Sequence, residues 1–86
     1  MIALALTLAA SCAPRADVVD RLSDRYGESA VSGGLLGDGS GVLEVWANRE
    51  TGTWTTLLTL PDGTSCFVSS GDAWGPVPEV EKGERL

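Results

Sequence analysis

An 86-residue chain has room for one domain, and its twelve acidic and six basic residues leave a formal net charge of −6. A chain this acidic, with no basic patch, repels phosphate backbones and anionic lipid, which argues against nucleic acid and against electrostatic binding to a membrane. Histidine is absent, so the commonest general base and the commonest metal ligand are both missing, and neither a cofactor nor a metal is expected.

The chain begins with one apolar run, Ile2 to Ala10, and no charged side chain occurs before Arg15. A run of that length suits the core of a signal peptide and falls short of the roughly 20 residues that span a bilayer. Residues 1–11 are therefore read as a signal peptide. The mature chain is then periplasmic or secreted, where its two cysteines can oxidise. No Lys or Arg precedes the apolar run. Either the α-amino charge serves in its place, or the true start lies upstream. A buried strand or helix over Ile2 to Ala10 is the weaker reading on length and composition. Cleavage leaves about 75 residues, near the size at which one core needs a covalent staple.

Pro14 to Tyr26 reads as a helix. Proline suits its first turn, Asp17 complements its positive end, and Gly27 is placed to close it with a left-handed residue. Val18, Val19, Leu22 and Tyr26 fall on one stripe, while Asp17, Asp20, Arg21, Asp24 and Arg25 face water. Asp17 and Arg21, four apart, form a helpful pair; Arg21 and Arg25 repel.

From Glu28 to Ser70 the chain reads as antiparallel strands. Ser29 to Leu36 is a weak strand, diluted by Gly33 and Gly34, and Gly37 to Gly41 is a loop. Val42 to Asn48 and Thr53 to Leu60 are rich in β-branched and aromatic residues, and Thr64 to Ser70 follows a Pro61-Asp62-Gly63 turn. With Arg49 to Gly52 as a loop, Ala47 faces Trp54 and Val45 faces Thr56. One face then collects Leu43, Val45, Ala47, Trp54, Leu58 and Leu60, joined by Cys66 and Val68 if Leu60 pairs with Thr64. The helix stripe is the natural cover for that face. The expected architecture is α+β, one N-terminal helix packed on a small antiparallel meander sheet of three or four strands. Its core is expected to hold Val18, Val19, Leu22, Leu43, Val45, Trp54, Leu58 and Val68. Residues 12–70 form the domain, and the polar, proline-bearing segment 71–86 is read as a mobile tail.

Cys12 and Cys66 are the first candidate site. As a disulfide they close a loop of about 55 residues, contributing about 4 kcal/mol in the chain-entropy picture. The competing reading is a lipoprotein: Ala9-Ala10-Ser11-Cys12 loosely resembles a lipobox, with Ala9 where leucine is usual. Lipid on Cys12 would leave Cys66 unpaired in an oxidising compartment, which favours the bridge. Contact with a membrane is expected only through the leader or such a lipid.

Other motifs carry less. Gly37, Gly39 and Gly41 are not followed by Gly-Lys-Ser/Thr or by a helix, so a hairpin loop is the better reading than a phosphate site. Asp38 is the only carboxylate there, too few for calcium. Asp62, Glu44 and Glu50 are not brought together by sequence, and the serines lack an activating histidine. No enzyme activity is expected. The aromatic set offers the better lead. In this register Trp46, Leu57 and Phe67 point away from the helix, onto an outer sheet face beside Val42. Either the tail and Trp74 fold over them, or they form a face for a protein partner or a second copy.

The stretches Cys12 to Arg15, Val18 to Glu28, Glu44 to Thr55 and Pro61 to Cys66 together resemble a group of small exported bacterial proteins. The resemblance covers most of the mature chain. It implies that a leader ahead of the first cysteine and a cysteine after the PDG turn belong together, and it implies no catalytic residue. The order of helix then strands also resembles PepSY domains, which implies an exported module that inhibits peptidases or binds proteins; that likeness is one of order and size alone.

Overall fold

A computed structural model describes residues 11–77; the proposed leader core and residues 78–86 lie outside the described part. Its elements are β1 (Cys12–Pro14), α1 (Arg15–Tyr26), β2 (Ser29–Leu35), β3 (Val42–Ala47), β4 (Trp54–Thr59) and β5 (Thr64–Gly71). The fold is α+β, with one helix on one antiparallel sheet. Five strands make that sheet, in the order β1-β5-β4-β3-β2. The extra strand is β1, three residues long and invisible to a pattern argument. It pairs antiparallel with β5, Cys12 opposite Cys66 and Pro14 opposite Thr64. Proline is tolerated there because β1 is an edge, where an absent N–H breaks no ladder.

Pro14 is extended, with φ −54° and ψ 138°, so α1 starts one residue later than the sequence suggests. At the other end Gly27 adopts φ 63°, and its N–H donates to the Ser23 carbonyl. That left-handed cap is open to glycine at little cost. Asn48 then fastens the helix end to the sheet, its Nδ2 donating to the Tyr26 carbonyl at 3.0 Å.

The loops form for the reasons their residues supply. Leu36 donates to Gly41 across the glycine-rich loop, and Asp38 accepts from the Ser40 N–H at 2.9 Å. Asn48 Oδ1 accepts from the backbones of Glu50 and Thr51, shaping the four-residue loop 49–52. Around the PDG turn Leu60 N–H meets the Thr64 carbonyl at 2.8 Å, and Asp62 accepts from Thr64 N–H. These short connections lock the pairing. Ala47 lies opposite Trp54, Val45 opposite Thr56 and Leu58 opposite Cys66. Two irregularities interrupt the ladders, one between Ala30 and Ser32 and one between Thr56 and Leu57 against β5. The second leaves Val68 without a direct partner.

The expected pairing is therefore the observed one, yet the helix covers the opposite face. Leu57 is only 1 % exposed, and it shares a hollow with Val18, Leu22, Ala13 and Phe67. The face expected to be covered is bare: Leu43 is 38 % and Val68 52 % exposed, with Val45, Trp54 and Leu58 half-buried. Cys12 explains the inversion. Its bridge to Cys66 requires both cysteines on one face, so β1 runs alongside β5 within the sheet. Alternation then turns Ala13 to the other side, and the chain enters α1 on that side.

Candidate interaction surface and polar seam

The disulfide is present between Cys12 and Cys66, residues 54 apart in sequence. Phe67 N–H donates to the Ser11 carbonyl at 3.0 Å. The cysteines therefore occupy the narrow, non-hydrogen-bonded position of an antiparallel pair, where opposed side chains lie closest. Such a bridge persists in oxidising compartments. Among the described residues, no helix is long and apolar enough to cross a membrane.

The covered side of the sheet is more polar than its position suggests. Glu44, 9 % exposed on β3, is its centre. Arg15, the first residue of α1, donates to both carboxylate oxygens, Nη2 to Oε1 at 2.8 Å and Nε to Oε2 at 2.9 Å. Trp46 Nε1 adds a bond at 3.1 Å, and Thr59 Oγ1 one at 2.6 Å. Thr59 is itself 2.6 Å from the Ser65 hydroxyl, and Ser65 is fully buried. The Arg15 hydrogen bonds, helped by those from Thr59 and Trp46, outweigh burial and hold the Glu44 pKa at about 2. A carboxylate so fully paired fastens the start of the helix to the sheet.

Trp46, Leu57 and Phe67, expected together on an open face, do share a face, but it is the one under α1. Trp46 is half-buried in the Glu44 network, with the Arg15 guanidinium 6.0 Å from its ring. Leu57 is core. Phe67, 42 % exposed, stands at the rim of two hollows between α1 and the sheet. The outer-face assignment of these three is thus corrected: alternation placed them together, and the side taken by the helix was the missing information.

The bare face carries a different set. Leu43 and Val45 of β3, Leu58 of β4, and Cys66 and Val68 of β5 form its apolar centre. Paired and alternating positions around them are Thr56, Ser32, Gly34, Ser29 and Thr64. No charged side chain falls at any of these positions. The charges lie on α1, in the loops and in the Glu44 pair. At one end Trp54 lies over Gly71 and stacks at a tilt on Trp74, ring centroids 6.2 Å apart. Trp54 Nε1 donates to the Asp72 carbonyl at 3.2 Å, and Trp74 N–H to the Gly52 carbonyl at 2.9 Å. The segment read as a tail thus begins tied to the sheet through Trp74, and Ala47 beneath the cluster is 2 % exposed.

No protein-family model, no curated protein and no solved structure matches the chain.

Proposed function

We propose that this is a small exported, non-enzymatic protein, periplasmic or secreted, that pairs with a second copy of itself through the sheet face opposite α1. One observation carries the reading: that face presents Leu43, Val45, Leu58 and Val68 to solvent and not one charged side chain. Exposed apolar patches of this kind mark association surfaces. A chain of charge −6 resists meeting its own copy unless the contact excludes its charges, and this face does exclude them. Two neutral faces meet as a β-sandwich, with inner side chains interdigitating, and a two-fold pairing makes the same patch serve both copies. Five strands spaced about 4.8 Å apart, each about six residues long, give a contact burying about 1,000 Å² in all, below the roughly 1,200 Å² where stable interfaces begin and the size of a weak, concentration-dependent pairing. The disulfide supports the exported setting. The bonds from Arg15, Trp46 and Thr59 to Glu44 support a structural part for that carboxylate.

Sedimentation equilibrium over a concentration series tests this. The chain is expected to move from monomer to dimer, and Leu43→Asp or Val68→Asp, each introducing a charge at an exposed position, is expected to leave it monomeric and folded. A wild-type chain that stays monomeric throughout, or a dimer that both variants retain, overturns the reading. The first of these outcomes would leave the face to a different protein.

A further inference from the structure

On the other side of the sheet, under the C-terminal end of α1, lies a hollow of about 250 Å³ walled by Leu22, Tyr26, Thr55, Phe67 and Ser70. Glu28 also lines it. We propose that this hollow binds a primary ammonium group on a short alkyl chain, with the Glu28 carboxylate as its counter-ion. The inference concerns the face away from the proposed dimer contact and stands without it.

The observation that carries it is an unpaired carboxylate oxygen in a built place. Glu28 is 3 % exposed, and its buried Oε1 has no hydrogen-bond partner among the described residues. Glu28 stands between the Gly27 cap and the start of β2, its N–H donating to the Leu22 carbonyl at 3.1 Å, and this places it against the hollow. Buried carboxylates are ordinarily paired, because leaving one without a donor forfeits its hydration for nothing. The nearest comparable group, Glu44, has four donors; among the described residues no donor reaches Glu28 Oε1. A missing donor in a hollow is what a cationic ligand supplies.

The walls select the kind of cation. An ammonium carries three N–H donors; one satisfies Glu28, and the hydroxyls of Thr55 and Ser70 offer further acceptors. The rings of Tyr26 and Phe67 favour a cation over an anion, and Leu22 offers apolar surface for an alkyl stem. The volume is below the roughly 300 Å³ at which sites for drug-sized molecules begin, which suits one aliphatic chain. A divalent metal asks for several oxygen ligands with charge among them, and no group of three or more His, Cys, Asp or Glu able to hold a metal occurs among the described residues.

The same ammonium chemistry comes from a lysine side chain of a protein or from a free amine, and the probes separate them. The full disulfide-bonded chain, labelled with nitrogen-15, is titrated with n-butylammonium, with n-butanol and with Nα-acetyl-lysine methylamide, following amide shifts. Saturable shifts at Glu28, Thr55 and Ser70 are expected with both amines, n-butanol binding weaker by about tenfold or more, as loss of a charge-assisted bond implies. Glu28→Gln is expected to weaken the amines by a similar factor. Tighter capture of the lysine derivative assigns the site to a protein side chain, tighter capture of n-butylammonium to a free amine, and either supports the proposal. No saturable shift in the hollow, or equal binding of n-butanol and n-butylammonium, overturns it. That second comparison uses the wild-type chain alone, so it decides even if Glu28→Gln fails to fold. Unchanged amine affinity in a folded Glu28→Gln protein overturns it as well.

Discussion

Acid should loosen the helix from the sheet through one residue, Glu44. Its folded pKa is held at about 2, against 4.5 for an unperturbed glutamate, chiefly by hydrogen bonds from Arg15. A depressed carboxylate pKa means that folding favours the ionised form. The contribution is therefore fully present above about pH 4.5 and is lost as the pH falls toward 2. Taken whole, the shift corresponds to about 3.4 kcal/mol. The Arg15 side chain is 45 % exposed, however, so solvent screens the pair and about 2 kcal/mol is the better magnitude. Other carboxylates titrate in the same range: Asp38 and Asp62 are also lowered, by bonds from Ser40 and Thr64. The informative quantity is thus a difference. Urea unfolding of wild type and of Glu44→Gln, disulfide intact, is measured from neutral pH down to about pH 2.5. The wild type is expected to be more stable by about 2 kcal/mol at neutral pH, and the gap to close near the acid end. A gap that stays constant across the range would refute the assignment of the stabilisation to an ionised Glu44.

Reducing the Cys12–Cys66 bridge, which spans 54 residues, is expected to cost about 4 kcal/mol and to unfold a chain this small near body temperature; circular dichroism melts with and without reductant check it. Leu57→Ala should cost about 3 kcal/mol because Leu57 is core under α1, whereas Val68→Ala should cost less than about 1 kcal/mol; urea titrations that reverse this order would return the helix to the other face. Gly71→Val pushes a side chain into the Trp54 indole, whose atoms already lie 2.9–3.0 Å from a built Cβ. The expected result is a red-shifted tryptophan emission as the Trp54–Trp74 pair opens, and an unchanged spectrum counts against that packing.

Much of this fold is written locally. The Gly27 cap, the PDG turn and the 49–52 loop each follow from residues that favour one backbone geometry, and those turns fixed which residues oppose one another. Ala47 against Trp54 needed nothing more. The choice of covered face did need more. Counting apolar residues favours the side of Leu43, Val45, Leu58 and Val68; the Cys12–Cys66 bridge instead sends α1 to the other side, where a polar network, Arg15 to Glu44 to Thr59 and Ser65, fastens it, and no periodicity announces that network. Polar residues read as solvent-facing until their partners are known, and here the partners lie 29 and 15 positions apart in sequence. β1 was illegible for a related reason. Three residues ending in proline carry no strand pattern, and their place is set by a covalent bond to β5. The same gap hides the candidate site: alternation groups Trp46, Leu57 and Phe67 on one face and says nothing of which face α1 takes. Glu28 gave no signal at all, because a glutamate after a helix cap is ordinarily wet.

The pairing of two copies through their bare sheet faces is tested most directly by isotope-filtered NOE spectroscopy on a mixture of labelled and unlabelled chains. The account predicts contacts between copies among the methyl groups of Leu43, Val45, Leu58 and Val68, and none from Val18 or Leu22. Contacts between copies through α1, or a dimer without any contact at those four residues, would contradict it.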